Sequence, residues 1–262
     1  MMTKRSPWNP RATFLAVCLG VTASHPCRAD EAQPATTDSP GAVPIEGIVT
    51  FDGPLPRPIP VAEAATVRHL VEVDPTSRGL KDAVVWLDGT TAGPKPAARK
   101  QPVEVDQRNF FFVPHVLAVD AGQEVEFLNG DVANHGVTAT SLEPGNCFNV
   151  SIPLAGQGYK HRFVASTHPV AIGCPIHASM AAWIYVFAHP YHGVTDEEGR
   201  FRLPPVPPGR YTLQIRHADG GMKKQETIEV RPGEPVRLRV EFHGADLSAR
   251  DGSSSRGGEK RP

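Results

Sequence analysis

Short apolar runs, separated by glycine and proline, set the rhythm of the chain. Residues 45–51, 83–87, 103–105, 110–113, 116–119 and 125–128 are rich in valine, leucine, isoleucine and phenylalanine in stretches too short for a helix. The series continues at 148–152, 159–164, 170–174 and 182–187, then at 200–203 and 210–217. Val236, Leu238, Val240 and Phe242 alternate with Arg237, Arg239 and Glu241, the period of two that marks a strand with one buried face. Turns are supplied by Asp52-Gly53-Pro54, Asp196-Glu197-Glu198-Gly199 and Pro207-Pro208-Gly209. Residues 63–73 fit a short helix or a strand equally. The pattern predicts an all-β protein of short strands and tight turns.

Composition narrows this further. Glycine (24) and proline (27) make up about a fifth of the 262 residues, against about 12% in an average protein. That excludes a helical bundle or a long coiled coil. With 40% hydrophobic residues, the chain is not a disordered or collagenous one either. The length allows one large domain or two modest ones. A formal charge of −1, with no arginine or lysine cluster to track phosphates, gives no expectation of nucleic acid as a partner.

The amino end has the layout of a secretory signal peptide: Lys4, Arg5 and Arg11, an apolar run over 12–23, then small residues with cleavage after Ala23 or Ala29. The run is shorter than the roughly 20 apolar residues of a spanning helix. Residues 1–29 are therefore expected to be removed, leaving no integral membrane segment and an exported protein, periplasmic or extracellular. Cys18 and Cys27 would leave with the peptide. Cys147 and Cys174 remain, too few for a disulfide framework, so they form one disulfide or leave one working thiolate. Residues 30–43 read as a linker, 90–101 as a long loop, and 244–262, which are Gly, Ser and charge, as a disordered tail.

The segment Cys174-Pro175-Ile176-His177-Ala178-Ser179-Met180 places a thiolate, an imidazole and a thioether at intervals of three between two apolar strands. An extended strand would turn the middle residue away, so convergence needs a tight loop. Upstream, the stretch from Asn129 offers a second imidazole, His135, from a different loop. Two imidazoles, a thiolate and a weak axial thioether make a blue-copper ligand set, in which soft sulfur favours Cu(I) and imidazole tolerates both oxidation states. Other readings of these residues remain. A Cys147–Cys174 disulfide would consume the thiolate, and Met180 by itself reads as core. Zinc accepts similar donors, although structural zinc takes more cysteine and has little use for methionine. His115 reads as a core or surface histidine, and His189 and His192 as a solvated junction or a second metal site. The sequon Asn149-Val150-Ser151 is too common a pattern to carry weight.

Residues 100–188 resemble a cupredoxin of the plastocyanin and amicyanin type. The resemblance rests on the Cys174-x-x-His177-x-x-Met180 loop, on Phe112-Val113-Pro114 ahead of the 116–119 strand, and on Gly122 with the strand ending at Asn129. The loop spacing is closer to amicyanin. The resemblance implies a Greek-key β-sandwich with one type 1 copper site cycling between Cu(I) and Cu(II). His135, Cys174, His177 and Met180 would be its ligands, with Phe112 near the metal. It further implies an electron carrier and not an enzyme, meeting a transient redox protein partner, a dehydrogenase or a cytochrome. Gly136 departs from the asparagine that these families usually carry after the first histidine. No second His-x-His cluster for a catalytic copper is present.

The flanks, 193–201 with 207–213, resemble the second half of a carboxypeptidase regulatory-like domain, a smaller transthyretin-like sandwich. Residues 46–49, 52–56 and 82–87 resemble its first half. The expected organisation is a copper domain, 100–188, inserted between halves at 44–99 and 189–243, with three sequential units as the alternative. The combination resembles exported copper proteins of the methylamine-utilization type. Besides electron transfer, two classes stay open: a copper carrier or buffer, and an interaction module with a structural copper.

Overall fold

A computed structural model describes residues 40–89 and 101–248. The expected signal peptide, most of the 30–43 linker, residues 90–100 of the long loop and the tail from 249 onward lie outside the described residues. Strand β1 (Val43–Asp52) leads to a small hairpin, β2 (Ile59–Val61) and β3 (Thr66–Arg68), and then to β4 (Val84–Asp88). Nine strands follow: β5 (Val103–Arg108), β6 (Phe111–Val113), β7 (Val116–Asp120), β8 (Glu124–Asn129), β9 (His135–Thr140), β10 (Phe148–Ile152), β11 (Gly158–Arg162), β12 (Val170–Gly173) and β13 (Ala181–Phe187). The last five are β14 (His192–Val194), β15 (Arg200–Val206), β16 (Gly209–His217), β17 (Met222–Val230) and β18 (Val236–His243). Three short 3-10 turns complete the described residues, and the protein is all-β.

β1 lies between β15, antiparallel, and β18, parallel. A four-stranded sheet, in the order β14-β4-β16-β17, faces it. Both sheets therefore combine strands from before and after the nine middle ones. Ile45, Val49 and Phe51 from β1 share one buried core with Leu87 of β4, Leu213 and Ile215 of β16, and Phe242 of β18. Two glycines show how tightly this core closes. A Cβ at Gly47 would lie 2.7 Å from the Phe201 ring. Gly199 ends the Asp196–Gly199 turn with φ +77, and its carbonyl accepts the Val49 N–H at 2.8 Å. A Cβ there would meet the Val49 carbonyl at 2.3 Å, so glycine is required twice over.

The middle strands form a second sandwich, with a five-stranded sheet β10-β9-β12-β13-β7 and a four-stranded sheet β11-β8-β5-β6. Phe112, Phe127, Val137, Ile152, Phe163 and Ile184 fill its core. β13 is buried on both faces, which explains its unbroken apolar sequence Ala-Ala-Trp-Ile-Tyr-Val-Phe. Ala182, Ile184 and Val186 point into the sandwich, while Tyr185 and Phe187 pack with Val84 and Val116 against the other sandwich. Trp86 of β4 completes that contact, with ring centroids 6.1 Å from Tyr185 and 5.5 Å from Phe187.

Several elements differ from expectation. Of the two readings of residues 63–73, the strand is the one found, as β3, with the 3-10 turn Ala62–Ala64 ahead of it. β9 and β17 lack an apolar run and form because their neighbours supply the pairing. β17 matches β16 across nine residue pairs although its exposed side chains are all polar or charged. Residues 244–248, expected to be part of a disordered tail, are ordered. Asp246 accepts the His243 N–H at 2.7 Å, Leu247 packs on the core and the Ser248 N–H bonds to Gly220 O at 3.1 Å, contacts that offset the entropy of ordering these residues.

Candidate metal centre

His135, Cys174 and His177 converge at one end of the middle sandwich. His135 is the first residue of β9 and so sits in a strand, where a loop was expected. Cys174 directly follows β12, and the turn to β13 carries His177 back toward it. Two backbone bonds close that turn: Met180 N–H to His177 O at 3.0 Å and Cys174 N–H to Met180 O at 3.3 Å. Cys174 Sγ stands 3.9 Å from His135 Nδ1 and 3.6 Å from His177 Nδ1, and the two Nδ1 atoms are 3.2 Å apart. The point equidistant from three atoms so placed lies about 2.1 Å from each, which is the bond length of nitrogen to a first-row metal, about 2.0–2.1 Å, and close to the 2.3 Å of sulfur. The residues present therefore fit a single ion. His135 and Cys174 are buried, and His177 is half-buried. Met180 is buried in the same core cluster as Cys174.

The imidazoles are held from behind. His135 Nε2 is 2.9 Å from Asp131 Oδ2, which leaves Nδ1 as the ring's free donor atom. Asp131 also accepts the N–H groups of Asn109 at 2.7 Å and Phe110 at 3.1 Å. Burial works against this carboxylate, but those amides and the His135 ring outweigh it and hold its pKa below the ordinary range. Asn129 braces the approach to His135, donating to Ala133 O and Ile152 O at 2.9 Å each and accepting the Asp131 N–H at 3.0 Å. Asp131 lies four residues before His135, a spacing visible in the sequence but common enough that it does not by itself mark a partner.

The aromatic ring against the imidazoles is Phe110, and Phe112, expected near the metal, lies in the core cluster that also holds Cys174 and Met180. The Phe110 ring meets His135 edge-on at 5.4 Å and His177 at 4.9 Å. Asn109 and Phe110 both have left-handed backbones, φ 52 and φ 65, a tight turn that carries the Phe110 ring to the imidazoles. Gly136 is likewise explained by packing. A Cβ there would lie 2.7 Å from Val150 O and 3.1 Å from Pro175 of the ligand loop, so an asparagine would push the loop away.

The other candidates lie apart from this cluster. Cys147 and Cys174 are both free, the former exposed with its thiol on Ser141 O. His115 pairs with Asp219 at 2.6 Å. His192 meets Asp120 at 3.0 Å, while His189 accepts the Tyr191 N–H and burial, with help from His192, pushes its pKa down to about 4. The two rings are 6.5 Å apart, and among the described residues the one metal-capable group of three is His135, Cys174 and His177.

The molecule is thus a pair of β-sandwiches, one of which encloses a two-histidine, one-cysteine donor set. The family model of the carboxypeptidase regulatory-like domain matches residues 182–243, beginning inside β13. No curated protein matches the chain. Solved structures similar to part of the chain include cupredoxins. One is a copper-containing nitrite reductase (NirK) from Thermus scotoductus SA-01, at 24% identity and a TM-score of 0.31 over 38% of this chain; the match spans 25% of that enzyme. An oxidised amicyanin variant matches at 18% identity and a TM-score of 0.30, covering 35% of this chain and 90% of its own. A purple cupredoxin from Nitrosopumilus maritimus matches at 21% identity and a TM-score of 0.28, covering 32% and 99%.

Proposed function

We propose that His135, Cys174 and His177 would hold one copper ion, with the Met180 thioether as a further donor, and that the protein carries single electrons without transforming a substrate. The observation that carries this reading is the triangle of donor atoms around one point at bonding distance. Copper is favoured over zinc by the chemistry of the set, one thiolate and two imidazoles beside a buried thioether. The bound ion would supply one-electron exchange between Cu(I) and Cu(II). The chain contributes a rigid cage, because the loop is closed by its own backbone bonds and His135 is fixed through Asp131. A donor set that does not move when an electron arrives keeps exchange fast.

His177 is the ligand nearest solvent, and Pro175, Ile176 and Ala178 around it are exposed. Such a surface suits brief contact with a redox protein, a dehydrogenase or a cytochrome. The basic residues and apolar run at the amino end support export, and no helix among the described residues is long and apolar enough to cross a membrane. We also take residues 44–99 and 189–243 as two halves of one domain into which 100–188 is inserted, a reading supported by the pairing of β1 with β15 and β18. A cooperative unfolding transition in 189–243 expressed alone would sink it.

The test of function is spectroscopic and electrochemical. Purified protein given Cu(II) should bind one equivalent, show an intense visible thiolate-to-copper band and give a reversible one-electron wave. Bound copper with no reversible wave would instead make the protein a copper carrier. A colourless protein would refute the site.

A further inference from the structure

The hairpin β2–β3 reaches the ligand loop through one side chain. Arg68 Nη1 donates to the carbonyl oxygen of Ser179 at 3.1 Å, and Ser179 lies between His177 and Met180. Arg68 Nη2 stands 3.6 Å from Asp219 Oδ2. Asp219, in the turn between β16 and β17, also accepts Trp183 Nε1–H at 2.8 Å and meets His115 Nε2 at 2.6 Å. The Arg68 and Asp219 side chains are only 12% and 5% exposed. A charge placed so far from water is retained at a cost unless it is paired, and here its partner is Asp219, while the hydrogen bond to Ser179 crosses to the middle sandwich. Arg68 Nε and Ser179 Oγ are buried without hydrogen-bond partners, so the guanidinium occupies this position with one donor unused. The apolar contact of Trp86 with Tyr185 and Phe187 already joins the sandwiches, which leaves the charged contact with a local consequence at the loop.

We infer that Arg68 is a positioning residue for the metal centre: it fixes the His177–Met180 segment through the Ser179 carbonyl and, balanced by Asp219, sets the ion's preference between oxidation states. The inference rests on the copper reading. A buried cation close to the loop disfavours the more positive Cu(II), and a buried anion favours it. Arg68 and Asp219 should therefore act in opposite directions. A role confined to packing would give no such opposition of sign.

The test uses the full chain with Arg68→Gln, Arg68→Lys and Asp219→Asn. Arg68→Gln should lower the Cu(I) to Cu(II) affinity ratio about tenfold, a fall of about 59 mV in potential for one electron. Asp219→Asn should raise the potential, and Arg68→Lys should restore most of the loss. In the metal-free protein, hydrogen exchange at the Met180 amide should speed up in Arg68→Gln and stay near wild type in Arg68→Lys. An Arg68→Gln protein with wild-type potential and wild-type exchange overturns the inference, as do shifts of the same sign in Arg68→Gln and Asp219→Asn. A wild-type chain that takes up no copper refutes the metal reading instead, and the exchange measurement then still decides whether Arg68 holds the loop.

Discussion

Replacing Asp131 with alanine removes three interactions at once. The carboxylate accepts the Asn109 and Phe110 N–H groups and faces His135 Nε2, at 2.7, 3.1 and 2.9 Å. A hydrogen bond to a charged group contributes about 1.5–3 kcal/mol net. The Asn109 bond is exposed, and water replaces most of it, whereas the Phe110 and His135 bonds are partly buried. The turn these bonds hold is intrinsically unfavourable, since a left-handed backbone costs on the order of 1–2 kcal/mol in each of two non-glycine residues. Asp131→Ala should therefore destabilise the metal-free protein by about 2–3 kcal/mol, read from urea denaturation at pH 7. With its anchor gone, His135 can rotate and Phe110 no longer braces both rings. Copper affinity should fall about 10–100-fold, the usual cost of losing a partner behind a metal-bound histidine, measured by competition with a chelator. Asp131→Asn, which keeps an acceptor but loses the charge, should fall between. A loss below about 0.5 kcal/mol with unchanged copper affinity would refute the reasoning.

Three further outcomes follow from the geometry. Gly136→Ala sets a Cβ 2.7 Å from Val150 O and should cost about 1–3 kcal/mol while displacing Pro175 and shifting the visible band; a wild-type melt and spectrum would count against the packing account. Asp219 is opposed by burial but held at a pKa of about 2 by His115, Trp183 and Arg68. Its contribution is complete above the ordinary carboxylate value and is lost as pH falls from about 4 to 2, so Asp219→Asn should erase an acid-side stability loss of about 2 kcal/mol in melts at pH 7 and pH 2. Cys147→Ser should leave copper uptake and the spectrum intact, whereas Cys174→Ser should abolish the visible band, and a band surviving in Cys174→Ser would remove the thiolate from the site.

Most strands were legible because their burial is regular. The alternation of Val236, Leu238, Val240 and Phe242 corresponds to β18, and the apolar runs at 116–119 and 125–128 correspond to β7 and β8. β9 was not legible, since His-Gly-Val-Thr-Ala-Thr offers only Val137 and Ala139 to the core, and β10 and β12 on either side hold it in the sheet. β17 was hidden by its charges. At the site, the Cys174–Met180 loop was legible because its donors are three residues apart. Phe110 was not, because the left-handed turn that aims it depends on a carboxylate 21 residues further on.

The sequence by itself determined what is decided over a few residues: the period-two strands, the glycine turns, and the loop that brings the Cys174 thiol and the His177 imidazole together. Only the tertiary structure decided what lies far apart in the chain. His135 meets Cys174 across 39 residues, Arg68 meets Ser179 across 111, and β1 pairs with β18 from the opposite end of the described chain. The cost of closing a loop rises only slowly with its length, so chain separation says little about which distant segments will meet. That choice belongs to the burial of complementary faces and the pairing of charges, and it exists only once both sandwiches are packed.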